Sequence, residues 1–410
     1  MRIAIVGGGV AGLVAAHRLH DRHEITLFEA DDHLGGHANT VAVERASGSW
    51  ALDTGFIVLN DRNYPRLHEL LASCGVALQP THMGFSVSAQ DEDFEYAGTP
   101  RGVFCQPANL ARPAFWRMLA DLLRFNRELA RGRAGERDEG RSLAEFVRDG
   151  GYSRWFIERL IVPQASAVWS ADPAAMWSFP VRFLAEFFDN HGMLGFRGRP
   201  RWQVVAGGSQ RYVEAVSRPF AERVRLATAV HSISRDEAGV TVRLDGERLE
   251  RFDEVVLACH ADQALALLED PAPAEREILA SFPYQRSEAV LHTDSRLLPR
   301  RAAARQAWNY HLLAEPRPAT TVTYYLNHLQ RLRASEDFCV TLNMTDRIDP
   351  ACVIRRIDYS HPVYTAAGVA AQARRREISP ARRTRYCGAY WGYGFHEDGV
   401  VSALRAVEGL

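Results

Sequence analysis

The stretch from Gly7 to Gly12 limits most strongly the fold that this chain can adopt. It has glycine at its first, third and sixth positions, between an apolar stretch at residues 2–6 that predicts a buried strand and a predicted helix at residues 13–20. A second strand is predicted at residues 24–28. In such a unit the glycine at the first position permits a tight turn, and the glycine at the third position leaves room for a pyrophosphate. The glycine at the sixth position lets the helix pack closely on the strand. Glu29 ends the second strand and can accept hydrogen bonds from a ribose, so the sequence predicts a dinucleotide site.

Composition excludes several other classes of protein. The chain has 410 residues, of which 47% are apolar and 24% charged, which is typical of a globular protein of two or three domains. Its 49 basic and 50 acidic residues argue against a nucleic-acid partner. No residue is lysine, which excludes a Schiff base and a lysine general base. The six cysteines have no metal-site spacing, so we predict no metal and a reducing compartment, the cytoplasm. No apolar stretch is long enough to span a bilayer.

Two further segments extend the dinucleotide site and indicate which dinucleotide it binds. Residues 29–40 contain Gly35, Gly36 and Thr40, and Asp53-Thr-Gly-Phe56 follows shortly after. These segments resemble the FAD-binding elements of the flavin amine oxidase and phytoene desaturase superfamily, in which an arginine usually occupies the position of His37. The end of the chain, residues 386–404, resembles the terminal motif of the same superfamily.

The resemblance implies FAD as the cofactor. With the glycine-rich turn, it implies contacts to FAD from these residues: Gly7, Gly9, Val10, Ala11, Gly12, Glu29, Ala30, Gly35, Gly36, His37, Thr40, Gly55, Phe56, Val230, Gly388, Asp398, Gly399 and Val400. A helix from Gly399 to Glu408 would direct its N-terminus at the flavin. Val230 lies on a predicted hairpin in which residues 224–233 pair with residues 240–244.

The FAD-binding segments are far apart in the sequence, which predicts a two-domain protein of the α/β class. We expect a Rossmann-like FAD-binding domain of the glutathione-reductase and amine-oxidase type at residues 1–80, 205–265 and 380–410. A mixed α/β substrate domain would then be inserted, at residues 81–204 and 266–379. The arginine-rich stretch at residues 131–141 predicts an exposed loop.

The predicted substrate domain is rich in aromatic residues. Seven of them lie between Trp177 and Trp202, a density that favours either a long apolar pocket or a well-packed core. Residues 115–131 predict an amphipathic helix with Arg117, Arg124 and Arg131 on one side, either an ordinary surface helix or one that contacts an anionic membrane peripherally, such as the inner membrane.

Several stretches resemble one branch of the superfamily, the predicted NAD/FAD-binding proteins associated with cyclopropane-fatty-acid-synthase-like methyltransferases. They are residues 53–60, 187–192, 199–202, 207–212 and 389–396. Some members of this branch are similar to desaturases of methylated, unsaturated acyl chains on the route to furan fatty acids. The resemblance therefore implies a lipid or fatty acyl substrate and an S-adenosylmethionine-dependent methyltransferase as partner.

Desaturation would transfer a hydride to flavin N5, with molecular oxygen as the reoxidant, and needs a group that accepts a proton. The candidate bases are His396, Tyr390 and His191, in that order, because the first two lie in the terminal motif. Two alternatives remain open. One is an amine-oxidase-like enzyme acting on a small polar substrate, and the other is a non-catalytic flavoprotein that positions a methyltransferase.

Overall fold

A computed structural model of the chain describes residues 1–46, 48–130, 140–195 and 198–410. Its strands are β1 Arg2–Val6, β2 Glu24–Phe28, β3 Thr40–Arg45, β4 Gly48–Asp53, β5 Leu59–Asn60, β6 Leu78–Pro80, β7 Phe85–Ala89, β8 Phe94–Ala97, β9 Trp202–Val205, β10 Val224–Arg225, β11 Val230–Asp236, β12 Gly239–Leu244, β13 Leu249–Phe252, β14 Glu254–Leu257, β15 Tyr284–His292, β16 Trp308–His311, β17 Val322–Tyr325, β18 Cys339–Leu342, β19 Val353–Pro362 and β20 Thr384–Tyr386. Its helices are α1 Val10–Leu19, α2 Pro65–Ser73, α3 Pro100–Val103, α4 Pro107–Leu110, α5 Pro113–Ala130, α6 Leu143–Asp149, α7 Arg154–Phe156, α8 Val162–Trp169, α9 Val181–Asn190, α10 Gln210–Ser217, α11 Ala261–Leu267, α12 Pro273–Ala280, α13 Leu326–Leu329, α14 Ala366–Ala373 and α15 His396–Ala406.

A five-stranded parallel sheet, in the order β10-β2-β1-β14-β20, lies at the centre of the first part of the fold. Strand β1 is apolar on both faces because each face is covered. Ile3 and Ile5 pack with helices α1, α10 and α15, whereas Ala4 and Val6 pack with the three-stranded sheet β11-β12-β13. The predicted β1–α1–β2 unit is confirmed, since a strand buried on both sides is what a parallel sheet requires.

Residues 224–233 do not form one strand, so the predicted hairpin is wrong in its first half. Val224 and Arg225 pair with β2 at the edge of the parallel sheet. The chain then passes into β11, which begins at Val230 and forms the antiparallel hairpin with β12. The reason is that Glu29 N–H and Thr228 N–H form backbone hydrogen bonds between the two segments, which anchors residues 225–228 to the end of β2.

A seven-stranded sheet, in the order β19-β15-β18-β17-β16-β7-β8, forms the second part of the fold. Its strands are antiparallel except that β16 and β7 run parallel. Helices α5 to α9 pack against its β7 and β8 end around a core rich in phenylalanine. All strands of this sheet fall within residues 81–204 and 266–379, and those of the parallel sheet fall outside them, although the proposed domain boundaries themselves stay a prediction.

The carboxylate of Asp53 joins distant segments of the chain. It is fully buried, and its Oδ1 accepts hydrogen bonds from Thr40 Oγ1 at 2.6 Å and from both the N–H and the hydroxyl of Ser209 at 2.8 Å. The Asp53 N–H donates to Gln330 Oε1 at 3.0 Å. Burial raises the pKa of Asp53 to about 6. The hydrogen bonds from Thr40 and Ser209 offset part of this rise, because they stabilise the charged carboxylate.

Helix α5 confirms the amphipathic pattern predicted at residues 115–131, but not the predicted basic face. Arg117 and Arg124 both form ion pairs with Asp121, whose side chain is buried, so much of their charge is neutralised within the helix. Leu123, a large apolar residue of the same helix, is exposed. Residues 131–139, most of the predicted exposed loop, lie outside the described residues.

None of the helices in the described ranges is both long enough and apolar enough to cross a membrane.

Candidate functional site

The glycine-rich turn places an open space at the beginning of α1. Gly7 has φ +105°, a left-handed conformation that favours glycine. A Cβ on Gly12 would lie 1.8 Å from the Gly7 carbonyl oxygen, so only glycine lets α1 approach β1 this closely. A Cβ on Gly9 would meet nothing within 4 Å. The free space therefore lies in front of Gly9, where the first N–H groups of a helix attract an anion.

Glu29 lies next to this turn, at the end of β2. Its Oε2 accepts a hydrogen bond from Gly8 N–H at 2.6 Å, and its Oε1 accepts one from Asp31 N–H at 2.9 Å. These bonds fix the carboxylate at the rim of the cavity. Each oxygen keeps a further lone pair that can accept a hydrogen bond from a ribose hydroxyl.

One cavity of about 1430 Å³ connects this turn with the predicted substrate domain. Most of the residues predicted from the sequence line it: Gly7, Gly9, Val10, Ala11, Glu29, Ala30, Gly35, Gly36, His37, Gly55, Phe56, Val230, Gly388, His191, Tyr390 and His396. The structure thus brings segments from the beginning, middle and end of the chain to one space.

Five of the predicted contact residues lie behind the wall of the cavity. Gly12 packs on Gly7, and Thr40 is bonded to Asp53. Asp398 accepts a hydrogen bond from Phe395 N–H at 2.9 Å, Gly399 packs against Val10, and Val400 lies in the core. These five residues support the wall, and any contact with FAD stays a prediction.

The last helix begins earlier than the sequence indicated. We expected it to start at Gly399, but α15 starts at His396, because the Asp398 carboxylate accepts the Phe395 N–H and caps the first turn. His396 is therefore the first residue of the helix. Its ring stacks on Phe56 at 3.6 Å between centroids, and its Nε2 lies 3.1 Å from the hydroxyl of Tyr212.

The three candidate bases differ in the state that their surroundings impose. Burial lowers the pKa of His396 to about 3 and that of His191 to about 4, so both are neutral near pH 7. His191 Nδ1 lies 2.9 Å from the Phe187 carbonyl oxygen, to which it must donate, so its Nε2 carries a free lone pair. Burial raises the pKa of Tyr390 well above its ordinary value, and the phenol stays protonated.

A group of aromatic and histidine side chains at the cavity was not predicted from the sequence. His37 stacks on Tyr359 at 4.8 Å, and its ring lies 5.1 Å from that of His361 and 6.1 Å from that of His260. Burial lowers the pKa of all three histidines. His260, Tyr359 and His361 lie far from the glycine-rich turn in sequence and belong to no local pattern that would reveal them.

The residues of the site fit FAD. The cavity offers an open cradle at Gly9, a helix N-terminus for a pyrophosphate and a carboxylate for a ribose. His37 Nε2 and His361 Nδ1 are buried and have no hydrogen-bond partner among the described residues, so a bound polar ligand can satisfy them. Val230 and the neighbouring Ala229 add apolar surface near Glu29, suitable for an adenine ring.

Comparison with known proteins identifies the class. The model of the family described as flavin containing amine oxidoreductase matches residues 10–341. A protein named as flavin-containing monoamine oxidase AofH, from Mycobacterium tuberculosis, is 28% identical over 301 residues, which cover 68% of this chain. The chain spans only 61% of the length of that relative. The family match confirms the predicted cofactor, FAD, and the predicted class, a flavin-dependent oxidoreductase.

Solved structures agree with the predicted α/β fold. Cyclohexylamine oxidase from Brevibacterium oxydans superposes with a TM-score of 0.68 at 16% identity, covering 99% of this chain and 97% of that one. A fatty acid isomerase from P. acnes that produces CLA superposes with a TM-score of 0.67 at 17% identity, covering 100% of this chain and 98% of that one. At these identities the likeness confirms the fold alone.

Gly9→Val tests the cradle. We expect this variant to fold, because Gly9 has φ −70° and its Cβ meets no protein atom, but to bind FAD at least about a hundredfold more weakly, because the side chain occupies the pyrophosphate space. The measurement is the flavin absorbance of the purified variant and its FAD affinity.

Gly12→Val is the matched control within the same turn. Its Cβ would overlap the Gly7 carbonyl oxygen, so we expect loss of folded protein rather than selective loss of flavin. A Gly9→Val protein with the flavin content of the wild type would contradict the assignment.

Acid should destabilise the FAD-bound protein between pH 7 and pH 5. Burial holds the pKa of five histidines at about 3 or 4, so between pH 7 and pH 5 they take up protons from solution only on unfolding: His191, His292, His311, His361 and His396. Asp53 and Asp398 act in the opposite direction, because burial raises their pKa to about 6 and about 7. The histidines are more numerous, so unfolding takes up protons from solution. The free energy of unfolding therefore decreases as the pH is lowered, by roughly 1.4 kcal/mol per pH unit for each net proton.

Urea unfolding at pH 7.0 and at pH 5.5 with saturating FAD checks this expectation. His311→Gln, which removes one titrating group, should reduce the difference in free energy of unfolding between the two pH values. A wild-type free energy of unfolding that is equal or greater at pH 5.5 than at pH 7.0 would contradict this expectation.

Proposed function

We propose, since the chain belongs to the flavin-containing amine oxidoreductase family, that it is an FAD-dependent desaturase of a methylated, unsaturated fatty acyl chain. The observation on which this proposal mainly rests is the apolar character of the cavity beyond the FAD site. The reaction, its substrate and its partners all belong to the proposal.

The part of the cavity between the helices of the second domain is lined mainly by apolar side chains, and Asn126 of α5 and Gln164 of α8 are polar exceptions. Helix α5 contributes three of the apolar side chains, and α8 with the turn before it contributes four more: Leu119, Leu122, Phe125, Leu160, Ile161, Val168 and Trp169. Phe187 and Phe188 of α9 continue the same surface. An extended hydrocarbon chain gains free energy by leaving water for such a surface.

The carboxylates of the cavity are poorly placed to recognise an amine. Among the described residues that line the cavity they are Glu29, Asp31 and Asp358. Glu29 and Asp31 lie at the dinucleotide end, and Asp358 is paired with Arg286 at 2.6 Å. A cationic substrate in the apolar part would therefore lack a counter-charge, which costs several kcal/mol of desolvation.

The structural neighbours are consistent with an acyl substrate. The P. acnes neighbour is named as a fatty acid isomerase, so a protein with this fold acts on a fatty acid. Other neighbours are named as amine oxidases, which is why the amine alternative is included in the test below.

His191 is the side chain best prepared to accept the proton that desaturation releases. FAD, when bound, supplies the hydride acceptor, and molecular oxygen is the proposed reoxidant. One carbon of the substrate loses the hydride with both electrons of its C–H bond, and a neighbouring or conjugated carbon loses a proton, whose bonding electrons form the new double bond. The free Nε2 lone pair of His191 can take that proton, whereas the His396 Nε2 lies in hydrogen-bond distance of the Tyr212 hydroxyl and the Tyr390 phenol is already protonated.

Contact with a methyltransferase remains part of the proposal. A methylated acyl chain must come from a methyl-transfer reaction, so an S-adenosylmethionine-dependent methyltransferase would supply this substrate. Peripheral contact with the inner surface of the membrane is likewise proposed, because both enzymes would draw on acyl chains held there.

Anaerobic mixing of the FAD-bound protein with a methylated, unsaturated phospholipid in detergent tests the function. We expect the oxidised flavin band to bleach and the product to be lighter by two hydrogen atoms. Bleaching by polyamines, followed by hydrogen peroxide release in air, would support the amine alternative. A flavin that neither substrate reduces would contradict the proposal and favour the non-catalytic alternative.

His191→Ala tests the proton acceptor. We expect flavin reduction to slow by about a hundredfold to ten-thousandfold, the usual contribution of a general base, with little change in the substrate concentration at half-saturation. Imidazole added to the solution should restore part of the rate. His231→Ala, at an exposed histidine of β11, is the control, and equal rates for both variants would exclude the role of His191.

A further inference from the structure

We propose that an exposed apolar patch formed by Phe104, Leu110, Trp116 and Leu123 docks this protein on an anionic phospholipid bilayer. The patch lies on α4, α5 and the turn that follows α3, on the outside of the wall that encloses the apolar part of the cavity. This inference rests on the proposed function, because the bilayer is where an acyl substrate would be held.

The exposure of these side chains is unusual for the described part of the chain. Phe104 is 49% exposed, Leu110 42%, Trp116 48% and Leu123 49%. The other large hydrophobic residues with comparable exposure are Met1, Trp177, Leu226 and Leu249, which are scattered along the sequence. Four such residues within one stretch of about twenty form a local patch, which is typical of an interaction surface.

The two aromatic residues of the patch are arranged for entry into a lipid layer. The rings of Phe104 and Trp116 lie 6.2 Å apart. Trp116 Nε1 donates to the Leu110 carbonyl oxygen at 2.9 Å, so the indole has its hydrogen bond within the protein. The ring can then leave water without losing a polar partner.

Helix α5 connects this patch with the cavity. Trp116 and Leu123 are exposed, and Leu119 and Leu122, one turn or less away on the same helix, line the cavity. Val103 also lines the cavity and is followed directly by Phe104. One helix and one turn thus present apolar side chains to the outside and to the cavity, so an acyl chain leaving the bilayer here would have a short path.

The charges around the patch are complementary to anionic lipid. Arg101 and Arg127 have no ion-pair partner within the described ranges, and Arg112 donates only to the neutral Asn109. Within the described part of α5, both carboxylates are engaged. Asp121 is buried between Arg117 and Arg124, and Glu128 accepts the hydroxyl of Tyr152 at 2.9 Å. Unpaired arginines beside exposed aromatic and aliphatic side chains are typical of interfacial membrane binding.

The size of the patch favours a bilayer over a second copy of the chain. Four half-exposed side chains offer on the order of 400 Å² of apolar surface. A stable dimer needs about 800 Å² from each partner, with packed neighbours around it. A bilayer sets no such minimum, because a few inserted side chains and a few arginines add up to reversible binding.

Sedimentation with vesicles containing about 30% anionic phospholipid tests the surface on the FAD-bound full chain. We expect the wild type to bind and Trp116→Gln/Leu123→Gln to bind about tenfold more weakly. The affinity of Arg101→Gln/Arg127→Gln for these vesicles should fall about fivefold per arginine, and its binding should lose most of its dependence on salt concentration. Leu226→Gln/Leu249→Gln, at exposed leucines elsewhere, is the matched control and should bind like the wild type.

Failure of this inference can be distinguished from failure of the proposed function. Trp116→Gln/Leu123→Gln should reduce its flavin with detergent-dispersed substrate as fast as the wild type and lose rate only with vesicle substrate. Vesicle binding that is absent in the wild type, or unchanged in this variant, would overturn the inference even if the flavin bleaches. A wild-type dimer that this variant dissociates, with unchanged vesicle binding, would assign the patch to a protein interface instead.

Discussion

The close approach of α1 to β1 at Gly12 is the constraint on which the site depends. A Cβ there would lie 1.8 Å from the Gly7 carbonyl oxygen, so the helix can start this near to the strand only without a side chain. The same approach leaves the space in front of Gly9 empty and directs the first turn of α1 at it. The cofactor site is therefore a consequence of helix packing, and its anion affinity comes from the backbone.

The rest of the molecule holds distant segments around that space. The buried Asp53 carboxylate connects β4 with Thr40 and the start of α10, and Gln330 reaches it from the second part of the fold. The terminal helix α15 packs on α1 and brings His396 against Phe56. Because one cavity crosses these contacts, a dinucleotide at one end and a hydrocarbon chain at the other would share a continuous space.

The sequence was sufficient where the relevant contacts are local. The β1–α1–β2 unit follows from residues close together in the chain, and the position of Glu29 at the rim of the cavity follows from its place at the end of β2. The ion pairs of Asp121 with Arg117 and Arg124 could also have been foreseen, since their spacings of four and three residues place them on one helix face. His260 and His361 could not, because only tertiary packing brings the start of α11 and strand β19 to His37. The aromatic stretch between Trp177 and Trp202 contributes both to the cavity and to the core, the two roles that its sequence left open. Phe187 lines the cavity and Phe183 lies in the core, while Phe196 is outside the described residues.

Identifying the molecules that the protein retains would show whether one cavity holds FAD and an acyl chain together. The purified protein would be incubated with FAD and a total lipid extract, separated from free ligand and denatured, and the released molecules would be identified by mass spectrometry. We expect FAD and an acyl lipid to be released together in similar amounts. Retained FAD without any acyl lipid, or with a water-soluble amine in its place, would contradict this expectation.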